Sequence, residues 1–210
     1  MIFYIDTSSN YLYTGIYKDS ETIVERKLNL NHDLSTFAID EIKKMFDEKN
    51  IDKKDIKKII VVSGPGSFTG IRIGMTIAKI YAYCFNIPIT QITSLEAMNI
   101  SNDTDTIHVP LIDARRGFCY AGVFYNDKEL IPSQYIEFNK LMDIVKEKEK
   151  ELGKETTFIT NDNYENKTEY DPNILKIVET YKDKENINAH LISPTYFKLT
   201  EAEEEKNKLN

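Results

Sequence analysis

The segment that most constrains this chain lies between residues 58 and 85. Lys58-Ile59-Ile60-Val61-Val62 is a short, unbroken, β-branched run of the kind that suits a central strand buried on both faces. It passes directly into Ser63-Gly64-Pro65-Gly66-Ser67-Phe68-Thr69-Gly70 and then into an apolar helix predicted over 71–85, with Ser67 or Thr69 as its cap. Four of the chain's eight glycines fall here, at 64, 66, 70 and 74. Such a junction makes either an anion cradle of backbone N–H groups at the positive helix end or a tight turn in which Gly70-x-x-x-Gly74 admits a close backbone neighbour. Ile71-Arg72 stands where a phosphate loop carries Lys, and Gly64-x-Gly66 lacks the rest of a dinucleotide fingerprint. Packing is the stronger of the two readings.

The helix after the glycines gathers its polar residues Arg72, Thr76, Lys79 and Tyr83 into one stripe. At ~100° per residue the apolar arc left over spans roughly 200°, twice what a helix lying on one sheet needs. Two neighbours are therefore expected. Both can come from this chain, as the sheet and a helix predicted over 34–49, or one can be a partner protein. A partner would meet a flank, either Ile73, Ile77, Ile80 and Cys84 or Ile71, Met75 and Ala82, with Leu34 and Phe37 contributing from the neighbouring helix.

Before this segment, β-rich stretches at 2–5, 11–17 and 22–28 are separated by polar turns and read as an antiparallel meander. Thr93-x-x-Glu96 is a capping box opening a short helix. Ser101-Asn102-Asp103-Thr104-Asp105-Thr106 is the clearest polar interruption, and it divides an N-terminal lobe, 1–103, from a smaller α/β lobe, 104–210, with a charged tail from 201 expected to fray. Within the second part, strands at 107–112 and 118–125 flank Asp113-Ala114-Arg115-Arg116-Gly117. A helix over 141–152, a strand at 156–159 and a last helix capped by Asp171-Pro172 follow. No internal repeat is visible.

Charge and composition narrow the function classes. With 27 basic against 34 acidic residues the net charge is −7, which disfavours a nucleic-acid binder that relies on its overall field. Cys84 and Cys119 are too few for a disulfide framework. His32, His108 and His190 form no metal-binding pair, Ser67 does not sit in Gly-x-Ser-x-Gly, and neither a metal nor a catalytic residue is expected. Asp6-Thr7-Ser8, on a turn after the first strand, has the groups to hold magnesium and phosphate oxygens, but a polar turn ending a strand has the same composition. The opening five residues are too short for a signal-peptide core and no stretch is long enough to span a membrane, so a cytoplasmic protein is expected.

Several motifs then align in order: Asp6-Thr7-Ser8, the string Gly64-Pro65-Gly66-Ser67-Phe68-Thr69-Gly70-x-Arg72-x-Gly74, Ser94-Leu95-Glu96-Ala97, Asp113-Ala114-Arg115-Arg116, and Pro194-x-Tyr196. Together they resemble the TsaB (YeaZ) family, bacterial subunits of tRNA threonylcarbamoyladenosine biosynthesis. The resemblance implies an α/β, two-lobed actin-like ATPase fold (ASKHA, ribonuclease H-like). It implies a non-catalytic subunit that binds and activates TsaD, the partner that holds the metal and transfers the threonylcarbamoyl group, with the ATPase TsaE joining them. Docking would use the first two helices, a homodimer would form without the partner, and tRNA would be reached only through the complex. No cofactor of its own is implied. Lys198 stands where the family commonly has Arg, and Ser9 where it commonly has Thr. The competing reading is a stand-alone nucleotide-binding phosphotransferase or ATPase built on Asp6 and the glycine loop, but the second half offers no clustered glycines for a second phosphate loop.

Overall fold

The computed structural model describes residues 1–102, 104–164 and 167–197. Lys198, the tail from 201 and the side chain of His32 lie outside the described residues. Three strands, β1 (Ile2–Asp6), β2 (Tyr11–Lys18) and β3 (Glu21–Asn29), form the expected antiparallel meander. They lead through α1 (Leu34–Glu48) to β4 (Lys58–Val62), α2 (Phe68–Phe85), β5 (Ile89–Ile92) and α3 (Ser94–Ile100). The second half contains β6 (Ile107–Asp113), β7 (Phe118–Tyr125), β8 (Lys128–Glu137), α4 (Phe138–Leu152), β9 (Thr156–Ile159), β10 (Lys167–Thr168) and α5 (Ile174–Tyr181).

The two five-stranded sheets share one topology. The first runs β3-β2-β1-β4-β5, and the second runs β8-β7-β6-β9-β10. In each, three antiparallel strands are followed by a helix, and two further strands then add in parallel to the first strand's free edge. This duplicated unit is the ribonuclease H-like half of a two-lobed actin-like fold.

The first sheet is covered on both faces, as the β-branched β4 requires. Phe3, Ile5, Ile59 and Val61 pack with Ala38, Ile42 and Met45 of α1 and Ile71, Met75 and Ala78 of α2. Their alternates Tyr4, Ile60 and Val62 pack with Ile174, Ile177 and Val178 of α5. The chain therefore returns to the first lobe after the second sheet. Ile192 joins the Phe3 cluster, Ile187 bridges to Ile89, and Thr195 N–H donates to the Ser63 carbonyl at 2.8 Å. The strands of the first sheet all precede residue 103 and those of the second all follow it, while Ile174, Ile177, Val178 and Ile192 pack with the first.

Local chemistry explains the element ends. Ser67 caps α2 by accepting from Gly70 N–H, so the helix begins at Phe68, three residues before the expected start. The Thr93/Glu96 capping box is complete. Helix α5 is capped by Asn173 accepting from Lys176 N–H rather than by Asp171, whose carboxylate instead meets Lys27 at 2.8 Å.

Candidate functional site

The glycine-rich string is clamped onto the turn that follows β1. Ser67 N–H donates to the Ser8 carbonyl at 2.7 Å, Gly70 N–H to Ser67 Oγ at 3.2 Å, and Ile71 N–H to the Ser67 carbonyl at 2.9 Å. In return, Thr7 Oγ1 donates to the Gly70 carbonyl at 2.7 Å. A Cβ on Gly66 would collide with the Ser8 carbonyl, one on Gly70 with the Thr7 carbonyl, and one on Gly74 with Thr7 Oγ1. Gly66 also has φ +150°, which an L side chain rarely adopts. On the far side of the loop, Ser94 Oγ donates to the Pro65 carbonyl and Ser63 Oγ lies 2.8 Å from Thr195 Oγ1. The N–H groups of Ser67, Gly70 and Ile71 are thus held by protein acceptors, and Gly66 and Gly70 lie against the backbone of the turn while Gly74 lies against the Thr7 side chain.

Between the sheets lies an open cleft of about 1030 Å³. Asp6, Asp113, Asp162, Glu169 and Asp171 line it, against Lys27 and Arg115. Lys27 is already paired with Asp171. Asp6 is buried, and Asp6 Oδ1 accepts Ser8 N–H at 2.8 Å. Burial outweighs that bond and raises its carboxyl above the usual carboxylate range. A lining with five carboxylates against two cations disfavours a nucleotide polyphosphate. Among the described residues no group of three His, Cys, Asp or Glu is placed to hold a metal ion. His108 is engaged structurally, with Nδ1 3.0 Å from Asn99 Oδ1 and Nε2 3.0 Å from Thr104 Oγ1, and the His190 ring lies against Tyr83.

The residues expected at a partner interface divide in two. Leu34, Ile71, Met75 and Ile77 are buried in the chain's own core, together with Ala82, because α2 lies over β1 and β4 as well as beside α1. Of the two flanks open to a partner on the sequence, the Ile71, Met75 and Ala82 side is the one the chain itself covers. Phe37 and Ile80 are 45% and 56% exposed, Ile73 is half-buried, and Cys84 is exposed. The outer face of α2 reads Thr69, Ile73, Thr76, Ile80 and Tyr83, at spacings of four, three, four and three. That is the seam spacing of a helix that packs lengthwise against another helix.

The remaining motif residues fall into two groups. At the start of α2, the Arg72 guanidinium lies 3.8 Å from the Phe68 ring centroid and donates to Tyr196 Oη at 3.1 Å, while Phe68 and Tyr196 stack at 5.8 Å. Residues 124 apart thus form one exposed cluster that the sequence shows only as separate motifs. Pro194 leads into it, beside the Thr195–Ser63 bond. Asp113 and Arg115 sit at the tip of the β6–β7 hairpin, where Asp113 Oδ1 accepts Arg115 N–H at 2.8 Å.

The family model described as TsaD, tRNA N6-adenosine threonylcarbamoyltransferase, matches residues 31–174. The tRNA threonylcarbamoyladenosine biosynthesis protein TsaB of Bacillus subtilis is 30% identical over 95% of this chain and 94% of its own length. The TsaB of Buchnera aphidicola is 32% identical over 47% of this chain and 46% of its own. Among solved structures, a YeaZ-like protein of Pseudomonas aeruginosa superposes with a TM-score of 0.75 at 13% identity, covering 94% of this chain and 99% of that one. A second, YeaZ from the same organism, gives 0.70 at 13% identity over 93% and 98%. These structures establish likeness of fold.

Proposed function

The chain belongs to the TsaB family of tRNA threonylcarbamoyladenosine biosynthesis proteins, and from that premise we propose that it serves the pathway as a non-catalytic subunit that binds TsaD and activates it. The observation that carries this reading is the outer face of α2, a four-three-four-three row ending in exposed Ile80 and Tyr83. Ile73, Ile80 and the Tyr83 ring put apolar surface on this row between the threonines, and a partner helix laid along it buries that surface. Phe37 of α1 extends the face. In the absence of TsaD a second copy covers the same face as a homodimer, and TsaE joins the assembled pair. The cytoplasm, where tRNA is modified, is the compartment this reading implies.

The clamped glycine loop supports the non-catalytic part, since Ser67 N–H is held by the Ser8 carbonyl and Gly70 N–H by Ser67 Oγ. Mixing the purified chain with TsaD from the same source tests the whole. Co-elution and a transferase activity that depends on the chain are expected. Ile80→Glu should abolish co-elution while Lys146→Ala, on the distant α4, leaves it intact. Undiminished co-elution of Ile80→Glu, or ATP hydrolysis by the chain alone that disappears in Asp6→Ala, would refute the reading.

A further inference from the structure

The hairpin between β6 and β7 is built against the conformational preferences of its own residues. Nine non-glycine residues have positive φ among the described residues. Seven are Asn, Asp or Ser, short polar residues suited to turns. The β2–β3 hairpin uses Asp19 and Ser20 in this way, and the β7–β8 hairpin uses Asn126 and Asp127. At the β6–β7 tip the two positions are Arg115, φ 67°, and Arg116, φ 56°, followed by Gly117 at φ 78°. Two long side chains occupy a backbone region that disfavours them, so the fold gains nothing from their identity.

The turn is nevertheless held firmly. Asp162 Oδ2 accepts Asp113 N–H at 2.6 Å, Asp113 Oδ1 accepts Arg115 N–H at 2.8 Å, and Phe118 N–H donates to the Arg115 carbonyl at 3.1 Å. Both carboxylates are aimed at backbone N–H groups rather than at the guanidiniums. Arg115 and Arg116 are exposed, and their side chains make no hydrogen bond or ion pair with another described residue. The chain has 23 Lys and four Arg. Arg26 pairs with Glu48, Arg72 sits on Phe68, and the other two arginines share this tip. In a chain whose ordinary surface cation is Lys, adjacent arginines point to recognition by a planar, bidentate donor.

We propose that the Arg115-Arg116 tip contacts the phosphodiester backbone of tRNA when the chain is assembled with TsaD. This rests on the docking reading above. The acidic cleft behind the tip disfavours a nucleotide polyphosphate, whereas an RNA backbone approaching from outside meets the exposed guanidiniums. With a net charge of −7 the chain alone has no field to hold RNA. The contact is therefore local, and it adds to whatever TsaD supplies.

The test measures binding of a fluorescently labelled, unmodified tRNA transcript to the chain–TsaD complex over a series of KCl concentrations. Arg115→Asn/Arg116→Gly, which gives the turn residues it favours, should raise the thermal midpoint of the isolated chain and leave co-elution with TsaD unchanged. It should weaken tRNA binding by about tenfold or more and make the slope of log K against log salt shallower by about 1 to 2. Arg115→Lys/Arg116→Lys should keep most of the slope and lose part of the affinity. Unchanged affinity and slope in the Asn/Gly variant, with co-elution intact, would overturn the inference alone. Loss of TsaD from that variant would place a protein carboxylate at the tip, and a defect confined to ATP retention in equilibrium dialysis would place a nucleotide there; either overturns it. Failure of the wild-type chain to co-elute with TsaD would instead strike the docking reading, and this inference with it.

Discussion

Thr7 Oγ1 donates to the Gly70 carbonyl at 2.7 Å, and the same oxygen occupies the space that a Cβ on Gly74 would need. One threonine on the turn after β1 therefore fixes how closely α2 approaches. In a helix interior Ala is ordinarily favoured over Gly by about 0.5–1 kcal/mol, so without this contact both Gly→Ala changes would stabilise. The opposite sign is expected, with Gly70→Ala and Gly74→Ala each lowering stability by roughly 1–3 kcal/mol. They differ in rescue. Gly74→Ala meets a side-chain oxygen that Thr7→Ala removes, whereas Gly70→Ala meets the Thr7 backbone carbonyl, which Thr7→Ala leaves in place. A double-mutant cycle by urea denaturation should show favourable coupling only for the Thr7/Gly74 pair.

Much of this was legible in the sequence because the signals were local. The β-branched β4, the meander, the Thr93/Glu96 box and the inward Gly70/Gly74 face all follow from residues close together in the chain. Strand β8 was not legible: Pro132 and the polar Lys128, Glu129, Ser133 and Gln134 break any alternation, and an edge position beside β7 tolerates them. Nor was the matching topology of the two sheets, since hydrogen-bond order is repeated without repeated residues. At the candidate docking face, periodicity gave the width of the apolar arc of α2 but not which flank the sheet takes. The return of residues 174–195 to the first sheet depends on contacts more than 90 residues apart, such as Ile89 with Ile187.

That division of flanks separates folding from docking. Met75 is 3% exposed within the core cluster, so Met75→Glu buries a carboxylate with no partner and should cost on the order of 3 kcal/mol or more. Ile80→Glu, on the open face, should change stability by no more than about 0.5 kcal/mol. Thermal melts of the two isolated variants check this. A melt of Ile80→Glu lowered as far as that of Met75→Glu would show that Ile80 is a core residue.

Asp6 gives a pH signature of known sign. Its folded carboxyl is raised above its ordinary value by burial, the Ser8 bonds opposing it only in part. Between the unfolded value near 3.8 and the raised folded value, the folded chain holds the extra proton, so stability is lost as pH rises through that window. Above it the full penalty of a buried charge is present. Asp6→Asn keeps an oxygen that accepts Ser8 N–H and removes the charge. It should therefore raise the thermal midpoint at pH 7, with the gain shrinking to nothing as pH falls below the unfolded value. A midpoint at pH 7 that falls in Asp6→Asn would show that the charge itself holds the turn.

The two thiols offer a direct reading of which surface a partner covers. Cys119 is fully buried in β7, its Sγ 3.6 Å from the Ile136 carbonyl, and burial followed by the nearby Asp113 charge pushes its pKa up to about 11. The thiolate is the reacting form, so Cys119 is both inaccessible and almost wholly protonated at neutral pH. Cys84 is exposed, at the C-terminal end of α2 next to Tyr83 and one turn beyond Ile80. With iodoacetamide near pH 7.5, the native chain should take up one carbamidomethyl group, assigned to Cys84 by peptide mass, and a second only after unfolding. Adding TsaD should slow Cys84 while leaving Cys119 as unreactive as before, because helix packing along the Ile73, Ile80 and Tyr83 row closes over the former and does not reach the second sheet. If Cys84 reacts at the same rate in a complex shown by elution to be intact, the partner sits elsewhere and the row on α2 is left without an occupant.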